Sequence, residues 1–272
     1  MALGKWLLAV ACLVVGMPAS AQDARLKSLD TSDAGRGWDA VGRLDIDGKG
    51  FCTGALIAPD LVLTAAHCLF DKQTRARVDP ASIQFMAGWR NGRASAYRDV
   101  RRAVVHPDYN FDGSVSPEGV RYDVALLELQ HPIRNTSVVP FETAQRPRKG
   151  DEIGVVSYAH DRSEAPALQE LCRVMARQAG VLVMSCNVDF GSSGSPVFSF
   201  EGGKPQIVSV VSAKAEVNGQ NVSLGTSLQE PLALLIADLA NGGGYGIAAA
   251  PRIGRVTVNG QRRDTGAKFV KP

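Results

Sequence analysis

From Trp38 onward the chain breaks into apolar runs of about four to eight residues, each closed by Gly, Pro, Asn or Asp, which is the pattern of short strands. Phe51 to Ala58 is followed by the turn Pro59-Asp60 and then by Leu61 to Ala66. Ile83 to Ala87, Val100 to Val105, Val124 to Leu129, Ile153 to Tyr158, Val181 to Ser185 and Ile207 to Ser212 continue it. Val, Ile and Leu dominate these runs. They are too short for helices, and their spacing predicts an all-β domain of barrels or sandwiches. One helical pattern interrupts the scheme near the end. Glu230-Pro231 starts it, Leu232, Leu234, Leu235, Ile236 and Leu239 supply its apolar face, and Asn241-Gly242 stops it.

The ends read differently. Lys5, the apolar run Trp6 to Val15 and the small residues Ala19-Ser20-Ala21 form a secretory signal over residues 1–21, cleaved after Ala21. Residues 22–37 read as a flexible lead-in and residues 241–272 as a tail, in which residues 255–261 form either a small hairpin or part of a disordered segment. Without Lys5 the mature chain carries 29 Lys+Arg against 27 Asp+Glu, a net charge of +2. That balance offers neither nucleic acid nor a membrane surface a partner. Cys52, Cys68, Cys172 and Cys186 remain after signal removal, and an even count in an exported chain favours two disulfides. Three connectivities are open. Sequential pairing closes two short loops and is the expectation. The rival is a zinc site, but the spacings are wide and Cys-x-x-Cys is absent.

Three stretches carry chemistry. His67 ends an apolar strand in Leu63-Thr64-Ala65-Ala66-His67-Cys68. Asp123 opens the apolar strand Val124 to Leu129. Ser193 lies in Gly191-Ser192-Ser193-Gly194-Ser195-Pro196, where glycines allow a tight turn. Alone, each has a plain structural reading: a packed histidine, a strand-start cap, a turn. Together they are what acyl transfer to a serine needs. A hydroxyl is a weak nucleophile, so it needs a base, and the base needs an acid to hold its tautomer. Asp108 and Asp112 are rivals for that acid, but neither precedes a long buried strand. His106 fits a turn, His131 a loop after a strand, and His160 a polar loop before Asp161 and Arg162.

In the order His, Asp, Ser, these motifs resemble the chymotrypsin-like (trypsin-fold) serine endopeptidases. Cys52-Thr53-Gly54-Ala55-Leu56-Ile57 and His106-Pro107-Asp108-Tyr109-Asn110 extend the resemblance, which covers roughly residues 38–240. It implies two perpendicular six-stranded β-barrels, a closing C-terminal helix and a cleft holding His67, Asp123 and Ser193. It also implies an oxyanion hole from the N–H groups of Gly191 and Ser193, and the Cys52–Cys68 disulfide. Digestive trypsins keep an aspartate before the nucleophile, to pair with a new N-terminus. Here Ser192 stands there, so the chain looks more like the bacterial glutamyl-endopeptidase-like branch, and signal removal, with or without trimming near Arg36, is expected to suffice. The resemblance places Asn187 at the pocket floor, with Asp189 nearby, Ser212 on the pocket wall as the residue that supports Asp123 and binds substrate backbone, and Lys214 at the pocket entrance. The side chain preferred before the scissile bond stays open. The expectation is therefore an exported, monomeric, cofactor-free peptidase acting on proteins or peptides, secreted or periplasmic. A catalytically silent binding module is the alternative. A quality-control protease is the other rival, though the tail is too short for a peptide-binding module. No metal site is expected, and calcium in a surface loop stays open.

Overall fold

The computed structural model describes residues 26–144, 147–217 and 219–246. The expected signal and the tail hairpin lie outside the described residues. Two closed antiparallel barrels organise the rest. A short edge strand, β1 (Leu26–Ser28), precedes them. The first barrel comprises β2 (Val41–Ile46), β3 (Gly50–Ala58), β4 (Leu61–Thr64), β5 (Ile83–Ala87), β6 (Ala96–Val105) and β7 (Ala125–Leu129). It closes where β6 pairs with β7, from Val100 opposite Leu129 to Val105 opposite Ala125. A one-and-a-half-turn helix, α1 (Pro117–Tyr122), leads into β7; Ser116 caps it and Pro117 sits in its first turn. The second barrel comprises β8 (Glu152–Ala159), β9 (Arg162–Gln178), β10 (Val181–Met184), β11 (Pro196–Ser199), β12 (Gln206–Val217) and β13 (Gln220–Ser227), closed by β8 against β9. The helix α2 (Gln229–Ala240) follows, and β14 (Tyr245–Gly246) adds an edge to β6.

Burial explains the strands. Every residue of β4 is buried, because the strand lies between β3 and β7 inside the first barrel. One apolar cluster fills that barrel and continues across to Val156, Tyr158, Leu168 and Phe198 of the second. Trp38 and Phe141 meet Phe198 there in edge-on contacts at 5.0 and 4.7 Å between ring centroids. A second cluster, including Ile153, Leu182, Met184 and Val197, fills the other barrel.

Three elements differ from the sequence reading. The polar loop assigned around His160 is only a turn. From Arg162 the chain runs as a 17-residue strand, in which Glu164, Glu170, Arg173 and Arg177 are exposed while Leu168, Gln169, Cys172 and Val174 are buried. Residues 26–37 are not a loose lead-in either. β1 pairs with Gln169, Leu168 and Ala167 of β9, Leu29 is fully buried, and Arg90 donates to the carbonyls of Leu29 and Gly35. One buried leucine among polar residues has no period to betray it. In α2, Leu232 and Leu235 are buried, whereas Leu234 and Ile236 are exposed, so the apolar face is narrower than the leucine pattern implies.

Candidate active site

Asp123 caps the C-terminal end of α1 and is 2% exposed. A buried carboxylate needs donors, and this one has three. Its Oδ1 accepts from the His67 backbone N–H at 2.8 Å. Its Oδ2 meets His67 Nδ1 at 2.6 Å and accepts from the Ser212 hydroxyl at 2.5 Å. Charge-assisted bonds of this kind run short and strong. Burial pushes the nearby Tyr109 phenol above its ordinary range, and the Asp123 charge pushes it the same way.

Ser193 joins this pair through the backbone. Its carbonyl accepts from Thr53 N–H at 2.8 Å, and Thr53 follows Cys52, which is bonded to Cys68 next to His67. Gly194 N–H donates to Val211 O, one residue before Ser212. The Ser193 hydroxyl itself makes no hydrogen bond among the described residues, and His67 Nε2 lies 3.9 Å from Cys68 Sγ. Of the three neighbouring serines, Ser192 and Ser195 are fully buried, while Ser193 is partly exposed.

The turn around Ser193 depends on its glycines. Gly191 has φ +94° and Gly194 φ +76°, a region L side chains avoid. A Cβ on Gly191 would enter the Phe51 ring. The Thr53 hydroxyl donates to Gly191 O at 2.9 Å, and His160 N–H donates to Phe190 O at 2.7 Å. With those carbonyls held, the N–H groups of Gly191 and Ser193 donate to no protein acceptor among the described residues. Where trypsins keep an acid, Ser192 instead donates to Tyr158 O at 3.2 Å.

Asn187 and Lys214 are both exposed; the Asn187 N–H is held by the side chain of buried Gln169 at 2.9 Å. Cys172 and Cys186 form the second disulfide, as sequential pairing anticipates. Cys52, His67 and Cys68 are the one grouping of metal-type ligand atoms among the described residues. Both sulfurs are tied up in the disulfide, which leaves one ligand and no metal site there.

Two residues escaped sequence reasoning. Thr53 binds both Ser193 and Gly191. Thr226 donates from its hydroxyl to Val120 O at 2.6 Å and is 3.1 Å from Asp123 O, fastening the segment that carries Asp123. A threonine in a strand carries no local mark of such a role.

A family model described as Trypsin matches residues 30–229. The chain belongs to the trypsin family of serine proteases. Among relatives of this trypsin-family chain, serine protease 23 of Rattus norvegicus is 28% identical over 223 residues, covering 68% of this chain and 57% of that protein. A glutamyl endopeptidase of Bacillus licheniformis is 25% identical over 171 residues, covering 62% and 52%. The chain thus spans little more than half the length of these relatives. A solved Glu endopeptidase in complex with MPD superposes with a TM-score of 0.64 at 19% identity, covering 79% of this chain and 96% of that one. A scabies mite inactivated protease paralogue superposes at 0.62 with 15% identity, covering 82% and 98%. At such identities the likeness concerns the fold alone, and that fold is shared by a protein described as inactivated. The chemistry has to be argued from the residues.

His106 shows how trypsin-family packing translates into pH dependence. It is buried, stacks on Tyr122 at 4.7 Å between ring centroids, and its Nδ1 accepts from Asp108 N–H at 3.2 Å. Burial holds its pKa below the ordinary histidine value, the Arg121 charge adds to that, and Asp108 opposes it. The unfolded chain therefore takes up this proton first. Stability is full above the unfolded value of about 6.5 and falls as pH drops from there towards the folded value. Urea unfolding of wild type and His106→Asn across that window is expected to show a shallower pH slope in the variant.

Proposed function

We propose that the chain is an exported serine endopeptidase in which Ser193 is the nucleophile, His67 the general base and acid, and Asp123 the acid that orients it. One observation carries this reading: the buried Asp123 carboxylate meets both Nδ1 and the backbone N–H of His67 while Ser212 supports it. That arrangement puts the proton on Nδ1 and leaves Nε2 free to accept.

The Ser193 hydroxyl attacks the scissile carbonyl as Nε2 takes its proton. The N–H groups of Gly191 and Ser193, which have no protein acceptor among the described residues, receive the oxyanion. His67 then protonates the leaving amine, and an acyl group remains on Ser193. Water activated by His67 releases it. Asn187, Ser212 and Lys214 are assigned to the substrate pocket. No cofactor enters this scheme. Export is supported by two disulfides, which persist in oxidising compartments. Activation without an N-terminal ion pair is supported by neutral Ser192 and by the docking of β1 upstream of Arg36.

A fluorophosphonate probe tests the proposal. Peptide mapping is expected to find the label on Ser193 of protein beginning at Gln22, before any cut at Arg36, and none in Ser193→Ala. Label on Ser192 or Ser195 breaks the assignment. A folded wild type that stays unlabelled supports the silent binding module instead.

A further inference from the structure

Arg43, on β2, turns its charge to aromatic rings more than to acids. Its ion pair with Asp45 is long, 3.8 Å, and its Nε is buried with no hydrogen-bond partner among the described residues. The guanidinium carbon lies 4.7 Å from the centre of the Phe51 ring and 5.9 Å from that of Trp89. The strand register explains the contact. Arg43 stands opposite Thr53, and Asp45 opposite Phe51, so Arg43 and Phe51 are diagonal neighbours on one face of the sheet. Side chains alternate along a strand, so Phe51 and Thr53 share that face of β3.

Both β3 residues reach the nucleophile turn. The Thr53 hydroxyl donates to Gly191 O at 2.9 Å. A Cβ on Gly191 would lie 2.4 Å from Phe51 Cε2, 2.6 Å from Phe51 Cζ and 3.1 Å from Ala159 Cα. The Gly191 Cα is therefore wedged between the edge of that ring and the end of β8. On the preceding peptide, His160 N–H holds Phe190 O at 2.7 Å, which orients the Gly191 N–H. Hydrogen bonds to these two carbonyls set direction. Gly191, at φ +94° and without a side chain of its own, has only such outside contacts to set its position.

We propose that Arg43 and Phe51 are positioning residues for the oxyanion hole: Arg43 fixes the Phe51 ring, and the ring edge holds the Gly191 N–H where negative charge develops. This rests on the reading of Gly191 as an oxyanion donor and adds two residues that supply no reacting group. A preorganised donor acts on the transition state, so moving it costs turnover and spares substrate binding. A cation over a ring is held more firmly as water is excluded, and the Arg43 side chain is 19% exposed.

Phe51→Leu is expected to lower kcat for a cleaved peptide about tenfold to a hundredfold with KM nearly unchanged. Arg43→Met keeps the stem, loses the charge and lowers kcat about threefold to tenfold. Phe51→Tyr retains the ring and stays near the wild-type rate. Added to Phe51→Leu, Arg43→Met has no further effect, because it acts through the ring. A peptide aldehyde isolates the oxyanion. Ser193 Oγ adds to its carbonyl carbon, the serine proton passes to His67, and the aldehyde oxygen becomes an alkoxide in the hole. Aldehyde affinity falls in step with kcat across the variants, while the matching peptide alcohol, which forms no adduct, binds all of them as it binds wild type. The Gly191 amide resonance in a 15N spectrum reports the same linkage without turnover. It moves in Arg43→Met, and moves no further when that change is added to Phe51→Leu. Arg43→Met and Phe51→Tyr keep the comparison where Phe51→Leu does not fold. A KM that rises at constant kcat, equal losses of aldehyde and alcohol, or an Arg43→Met effect undiminished beside Phe51→Leu overturns the proposal. Adducts equally tight in wild type and variants sink this proposal alone. A folded wild type that forms no adduct sinks the serine-nucleophile reading instead, and the Gly191 resonance then decides the linkage.

Discussion

Asp123→Asn is expected to lower kcat about ten-thousandfold while KM changes little. The isosteric amide fits the same space, so packing is preserved. Its chemistry differs at one heavy atom, where NH2 replaces an oxygen. A carboxylate accepts at both oxygens, from the His67 backbone, the imidazole and Ser212. An amide has one oxygen acceptor and an NH2 donor. If its oxygen stays on the His67 backbone N–H, its NH2 faces Nδ1. The imidazole then carries its proton on Nε2 and cannot accept from Ser193. Steady-state kinetics on a cleaved peptide, with the rate of fluorophosphonate labelling as an independent readout, check the prediction. A variant within tenfold of wild type would remove Asp123 from the proposed role.

Gly194→Ala is expected to carry the largest stability cost of the conservative substitutions at the site, about 3 kcal/mol, equivalent to a fall in Tm of roughly 6–12 °C for a domain of this size. Two causes add. The backbone sits at φ +76°, which costs an L side chain about 1–2 kcal/mol. The new methyl would also press into the Thr64 hydroxyl and the Thr53 carbonyl, and lie 3.0 Å from Ala65 N. Thr53 and Thr64 belong to strands β3 and β4 and cannot withdraw, since Thr64 itself donates to Thr53 O at 2.9 Å. Gly202→Ala separates the causes. Its φ is +77°, yet nothing lies within 4 Å of where its new methyl would sit, so only the conformational cost applies. Differential scanning calorimetry of both variants decides whether close packing, rather than backbone conformation alone, demands the glycine beside Ser193.

The chain's own pattern carried much of this. β5 runs over the residues its apolar run marks, and β3, β7, β8 and β10 lie within a residue or so of theirs. Such runs are local: a strand buried on both faces shows as uninterrupted Val, Ile and Leu. β9 was hidden because one face is charged and its turn is polar, so its period was masked. β13, with Gly225 and Thr226, was hidden for a related reason. Small polar residues inside a barrel read as loop.

The sequence by itself determined the all-β class and set His67, Asp123 and Ser193 in short motifs, because each is written in a few adjacent positions, whereas it left the cysteine pairing as an expectation among three. Only the tertiary structure decided that the His67 backbone N–H joins the imidazole and Ser212 on one carboxylate, that Thr53 fastens the Ser193 turn, and that Leu29 seals β1 to the second barrel. Those contacts join residues far apart in the chain, 89 positions in the case of Ser212 and Asp123. Closing such loops is unfavourable until both barrels have formed.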